Sequence, residues 1–152
     1  MPSLIKLKIT EDMKAAMRAQ DKPRLAAIRL ILAALKQREV DERIELEDSH
    51  VIAILDKEAK KRRESLQHYE KANRQDLVDQ ENLELNIILG YLPQALAPSE
   101  INKLIAEAMA ETGASSMQDM GKVMANLKPK LQGRADMTVV SQAIKDKLSG
   151  AN

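Results

Sequence analysis

Apolar residues recur at helical spacing from the start of the chain. Ile5, Ile9, Met13 and Met17 fall at four-residue intervals, which places them on one face of a helix. A turn is predicted at Gln20-Asp21-Lys22. Asp21 suits an N-cap there, and Pro23 fits the first turn of the helix that follows. That helix carries Leu25, Ile28, Leu32 and Leu35, spaced 3-4-3. The stretch Glu45 to Ser49 interrupts the pattern, and Asp48 or Ser49 is expected to cap a third helix. Ile52, Leu55, Ala59, Leu66 and Tyr69 form the third stripe, and continuing its series puts Arg62 on the same face. After a turn at Asn73 to Asp76, a fourth helix carries Leu77, Leu85, Ile88 and Leu92. Glu81 falls between Leu77 and Leu85 and so lies on the apolar face too. Helices of about 20 residues joined by short turns are expected to pack as antiparallel neighbours.

Pro93 stops the fourth helix, and Leu92 to Pro98 holds two prolines in seven residues. This segment reads as a domain boundary, dividing the chain into residues 1–95 and 96–152. Beyond it the helices shorten. One runs from Pro98 to Thr112 and ends at Gly113. A second starts near Ser116, with Asp119 reaching back to complete the cap, weakens at Pro129 and ends by Gly133. A third follows Asp136 and carries Val140, Ile144 and Leu148. No stretch alternates as a strand would. The expected fold is all-α: an antiparallel helical domain, then a small three-helix bundle.

Composition narrows the function more by exclusion than by assertion. Cysteine is absent, which removes disulfides, thiolate metal sites and thiol nucleophiles and fits a reducing compartment. Two histidines, His50 and His68, are too few for a histidine metal cage, and both read as solvated surface residues. The five glycines are scattered, so there is no phosphate-cradling loop. No carboxylate pair sits where general acid–base chemistry would need it. The expected catalytic residues, cofactors and metals are therefore none. No apolar run is long enough to span a membrane, and the opening residues lack a signal peptide's pattern. These readings predict a cytoplasmic protein. Aromatic residues make up 1% of the chain, so it lacks the stacking platforms of single-strand nucleic-acid binders.

Charge is informative only locally, because the net charge is +1. From Gly121 to Lys147 stand six basic residues, Lys122, Lys128, Lys130, Arg134, Lys145 and Lys147, against Asp136 and Asp146. A basic side on a small helical bundle is the footprint of a phosphate-backbone binder. The bland reading of the same residues is lysines near helix ends complementing the dipole. A second basic ridge, Lys57, Lys60, Lys61 and Arg63, is either a solvated helix face or another phosphate-binding surface. Arg62, at a seam position, is expected to pair with Glu81 or Glu84 on the neighbouring helix, since a lone buried charge is costly.

Three stretches together resemble the YqeY family. They are Lys60 to Ser65; Gly90-Tyr91-Leu92-Pro93-Gln94-Ala95-Leu96; and Met120-Gly121-Lys122-Val123-Met124 with Lys128-Pro129-Lys130 and Gly133 to Asp136. The last stretch is also similar to the tail domain of GatB, a subunit of the tRNA-dependent amidotransferase that converts misacylated Glu-tRNA or Asp-tRNA to the amide form. The resemblance implies a helical N-terminal domain followed by a GatB-tail-like module that helps hold tRNA. It also implies the family label of carbon–nitrogen ligase with glutamine as amido donor. That chemistry lies outside the tail, and nothing here is suited to bind ATP or generate ammonia. The resulting expectation is a non-catalytic accessory protein that contacts tRNA through its tail. The alternative is a protein–protein adaptor using the N-terminal helices.

Overall fold

The computed structural model describes residues 2–150. Its helices are α1 (Leu4–Arg18), α2 (Lys22–Glu42), α3 (Asp48–Lys71), α4 (Gln75–Tyr91), α5 (Pro98–Thr112), α6 (Met120–Leu131) and α7 (Met137–Leu148), with a 3₁₀ turn at Met117–Asp119 before α6. No strand occurs among the described residues, and the protein is all-α. The chain divides into two compact units, Met1–Leu92 and Pro93–Asn152.

The helix starts follow local capping chemistry. Ser3 accepts from the Lys6 amide, Asp21 from Arg24 and Asp136 from Thr138. Asp119 accepts from the amides of Ser115 and Ser116 and completes a capping box. The start of α3 departs from expectation: Glu47, not Asp48 or Ser49, is the N-cap residue. His50 closes the box, its Nδ1 accepting from the Glu47 amide at 3.0 Å. Asp48 is free for longer-range work. It accepts from Ser3 Oγ at 2.5 Å and from the Ile5 amide at 3.2 Å, so the first turns of α1 and α3 share one carboxylate. The tail's first helix, α5, has Ala97 at its cap and no side-chain cap bond.

The larger unit packs around Ile9, Ile28, Leu35, Leu46, Val51, Leu55, Ala59 and Ile88. Three-residue turns join α1 to α2 and α3 to α4, and each pair packs together, so each is an antiparallel hairpin. The buried stripes drift from the simplest reading. A four-residue step advances about 400°, or 40° past a full turn. By Met17 the α1 series has therefore rotated outward; Met17 is exposed and Ala16 is buried instead. On α3 and α4 the interior takes Val51, Ile54 and Val78 rather than Ile52 and Leu77, which are half-buried.

The smaller unit is built from α5, α6 and α7 around Ile105, Ala108, Val123, Leu127, Leu131, Val140, Ile144 and Leu148. Gly113 ends α5 in the left-handed conformation, φ 65°, which a side chain would disfavour. Pro129 sits inside α6 two residues before its end and removes one amide donor there.

Candidate nucleic-acid interface

The tail's candidate residues divide by environment. Lys122, Lys128 and Lys145 are exposed on α6 and α7, off the buried Val123-Leu127-Leu131 and Val140-Ile144-Leu148 stripes. Lys128 and Lys145 have no carboxylate within ion-pair distance among the described residues, and Lys122 lies 4.0 Å from Asp119. Lys130 is held more closely: its Nζ is 3.3 Å from Asn126 Oδ1 and 3.9 Å from Glu111. Arg134 is half-buried and serves the fold. Its Nε donates to the Gln94 carbonyl at 3.0 Å, and its own carbonyl accepts from the Leu96 amide at 2.9 Å. The Gln94–Leu96 segment is thereby tied to the turn after α6.

The lysines do not form one stripe. Lys128 and Lys130 are two residues apart, about 200° around the helix, and so stand on opposite flanks of α6. Lys128, Lys130, Lys145 and Lys147 all occupy last turns, where cations complement the helix dipole. Lys147 is exposed like Lys145 and equally unpaired among the described residues, and belongs with the same group.

On α3, Lys57, Lys60 and Lys61 share one exposed face at i, i+3 and i+4, while Arg63 points about 120° from Lys57. Lys61 pairs with Glu58 at 3.5 Å. Lys57 and Lys61 line a cleft of about 560 Å³ with Arg38, Asp41 and Glu42 of α2. Its mixed charge makes it a poorer seat for a polyanion than the unpaired tail lysines.

Arg62 stands apart from this ridge. Its Nε lies 2.8 Å from Glu84 Oε2 and 3.5 Å from Glu81 Oε2, and its Nη2 lies 3.7 Å from Glu58 Oε2. One cation therefore faces three carboxylates at the α3–α4 seam, and Glu84 is only 7% exposed. The short Nε approach is an ion pair without a directed N–H, and Glu81 Oε2 accepts no hydrogen bond. Burial holds the Glu81 carboxyl above its ordinary range, with neighbouring Glu84 adding to the rise and Arg62 opposing it. Sequence spacing points to the Arg62–Glu81–Glu84 grouping but leaves out Glu58, one turn before Arg62 on the same helix. The i, i+4 relation to Arg62 is the signal that reveals it.

No group of three or more carboxylate or histidine side chains among the described residues is arranged to hold a metal. No described helix is long and apolar enough to cross a membrane.

A helical N-terminal unit followed by a lysine-rich three-helix tail defines a class of small, two-part helical proteins. Residues 6–148 match the family described as YqeY-like protein, and the chain belongs to that family. It is similar to the altered inheritance of mitochondria protein 41, mitochondrial, of Pyrenophora tritici-repentis, at 31% identity over 91% of this chain and 78% of that protein. The protein of the same name from Eremothecium gossypii is 36% identical over 67% of this chain and 56% of its own length. That of Lachancea thermotolerans is 30% identical over 75% of this chain and 65% of its own. The chain thus spans between little more than half and about three-quarters of these relatives. Their names correct the cytoplasmic expectation, since they are mitochondrial proteins by name. The physical reason is that missing cysteines report redox poise rather than an address.

Proposed function

We propose that this YqeY-like protein is a non-catalytic accessory protein that binds tRNA by its backbone phosphates through α6 and α7, in the service of tRNA-dependent amidation or another step of tRNA metabolism. The observation that carries the reading is the set of exposed tail lysines without carboxylate partners among the described residues, Lys128, Lys145 and Lys147, with Lys122 only loosely held. A lysine already paired gives up that pairing to meet a phosphate; these release only solvent and counterions. Their spread over two helices suits a branched, folded polyanion better than a straight groove reader. Nothing in the arrangement reads base edges, so the expected binding is indifferent to tRNA identity. The similarity of Met120 to Asp136 to the GatB tail supports the choice of tRNA over other polyanions.

The test is a filter or gel-shift titration of bulk tRNA at low and moderate salt. Binding at low salt that weakens steeply as salt rises, with little preference among tRNAs, is the expected result. No binding at low salt contradicts the proposal and leaves the adaptor reading, in which the N-terminal helices engage a protein, in its place.

A further inference from the structure

Two features of the larger unit go unused by the tail. The first is Gly90, in the last turn of α4. Its φ is not positive and a Cβ built there meets nothing within 4 Å, so neither conformation nor packing calls for glycine. Glycine is nonetheless a poor helix former. The second is the first turn of α2, which carries Lys22 and Arg24 and, apart from the capping Asp21, no acidic residue. Cations at a helix N-terminus work against its dipole.

Both features border one cleft of about 350 Å³, lined by Lys8, Asp12, Arg24, Leu83, Asn86, Ile87, Gly90 and Tyr91. That volume is at the lower end of small-molecule sites, which start at about 300 Å³. Its polar wall is ordered: Tyr91 Oη donates to Asp12 Oδ2 at 2.5 Å, and Lys8 Nζ lies 3.7 Å from the same oxygen. The bond joins residues 79 apart in sequence. Tyr91 is pinned by it, and burial together with Asp12 keeps the phenol protonated at any ordinary pH. Asp12 keeps its negative charge and is shared by Tyr91 and Lys8, whereas Arg24 has no carboxylate partner among the described residues.

We propose that this cleft binds a small phosphate monoester, with Lys8 and Arg24 clamping the phosphate, the Leu83–Ile87 wall covering the body of the ligand, and Gly90 leaving room for it. Arg24 is the unpaired cation that meets the phosphate, and Lys8, exposed and only 3.7 Å from Asp12, reaches it by exchanging that loose contact for a phosphate oxygen. The Asp12–Tyr91 pair and Asn86 offer acceptor and donor groups to ligand hydroxyls. The site lies wholly in the larger unit and stands independently of the tRNA reading.

The test uses the full ¹⁵N-labelled chain titrated with AMP, with adenosine as the phosphate-free control, followed by amide shifts. AMP should give saturable shifts at Gly90, Tyr91 and Arg24, and adenosine should give none. The Lys8→Ala/Arg24→Ala variant, altered only at exposed side chains, should bind AMP at least about tenfold more weakly. Gly90→Leu should raise the melting temperature, because leucine is the better helix former, yet weaken AMP binding. Absence of saturable shifts with AMP, equal binding of adenosine, or unchanged binding by the double variant each overturns the proposal.

Discussion

Arg62 and Lys128 are both cations in the middle or last turns of helices, and the two units use them in opposite ways. Arg62 is surrounded by Glu58, Glu81 and Glu84 at a packed seam. Lys128 stands on an exposed flank with no carboxylate in reach among the described residues. A charge among buried partners is committed to holding two helices in register. A charge left in water without a partner remains available to something outside the chain. The sign of a residue therefore says little about its role until its neighbours are known.

The contrast is sharpest at Arg62. Arg62→Ala leaves Glu81 and Glu84 with no cation at the seam, Glu58 keeping only Lys61, and should cost about 3–5 kcal/mol, read as a lower urea midpoint with unchanged slope. The cost should shrink at acid pH, where the carboxylates take up protons. Tail lysine variants should leave stability within about 0.5 kcal/mol of the parent by the same urea titration, because surface substitutions away from packed groups rarely do more.

Arg134 lies between these extremes. It resembles a tail ligand in sequence, yet it holds Gln94 and Leu96 against the turn after α6. Arg134→Ala should speed limited proteolysis between Pro93 and Pro98, whereas Lys128→Ala should not. Equal cleavage of the two variants would place Arg134 with the free lysines.

Glu81 gives the smallest and most specific effect. Its folded-state pKa is raised above the ordinary 4.5, so the folded form binds the proton more tightly than the unfolded form. Its contribution to stability is fully present below the unfolded pKa and is lost as pH rises through the folded value. Glu81→Gln should therefore raise the melting temperature modestly at pH 7. The gain should fade as pH drops through the window just above 4.5. A destabilised variant at pH 7 would mean that Glu81 is a needed partner of Arg62 rather than the surplus carboxylate.

Legibility in the sequence is local. The starts of α5, α6 and α7 can be read from Pro98, the Ser116–Asp119 pair and Asp136, because a cap needs only its own first turn. The α3 start misleads because Asp48 and Ser49 are better caps in isolation than Glu47. The choice is made by Ser3 and Ile5, which draw Asp48 away from its own helix. Met17 departs from its stripe for a geometric reason, the accumulated rotation of a four-residue repeat. Arg62's pairing is legible because both seam stripes are, but its third carboxylate, Glu58, sits off the stripe that spacing picks out. The Asp12–Tyr91 bond is out of reach, since no local rule connects residues 79 apart.

The tRNA reading rests on the free tail lysines, and the salt dependence of tRNA binding probes them without any other assumption. The parent is compared with the Lys122→Ala/Lys128→Ala/Lys145→Ala variant, with Lys14→Ala/Lys36→Ala as the control. The triple variant should bind more weakly for all tRNAs alike. Its slope of log affinity against log salt should be shallower by about one for each phosphate no longer neutralised, with the control matching the parent. A triple variant that binds with the parent's affinity and slope would contradict the role assigned to these lysines.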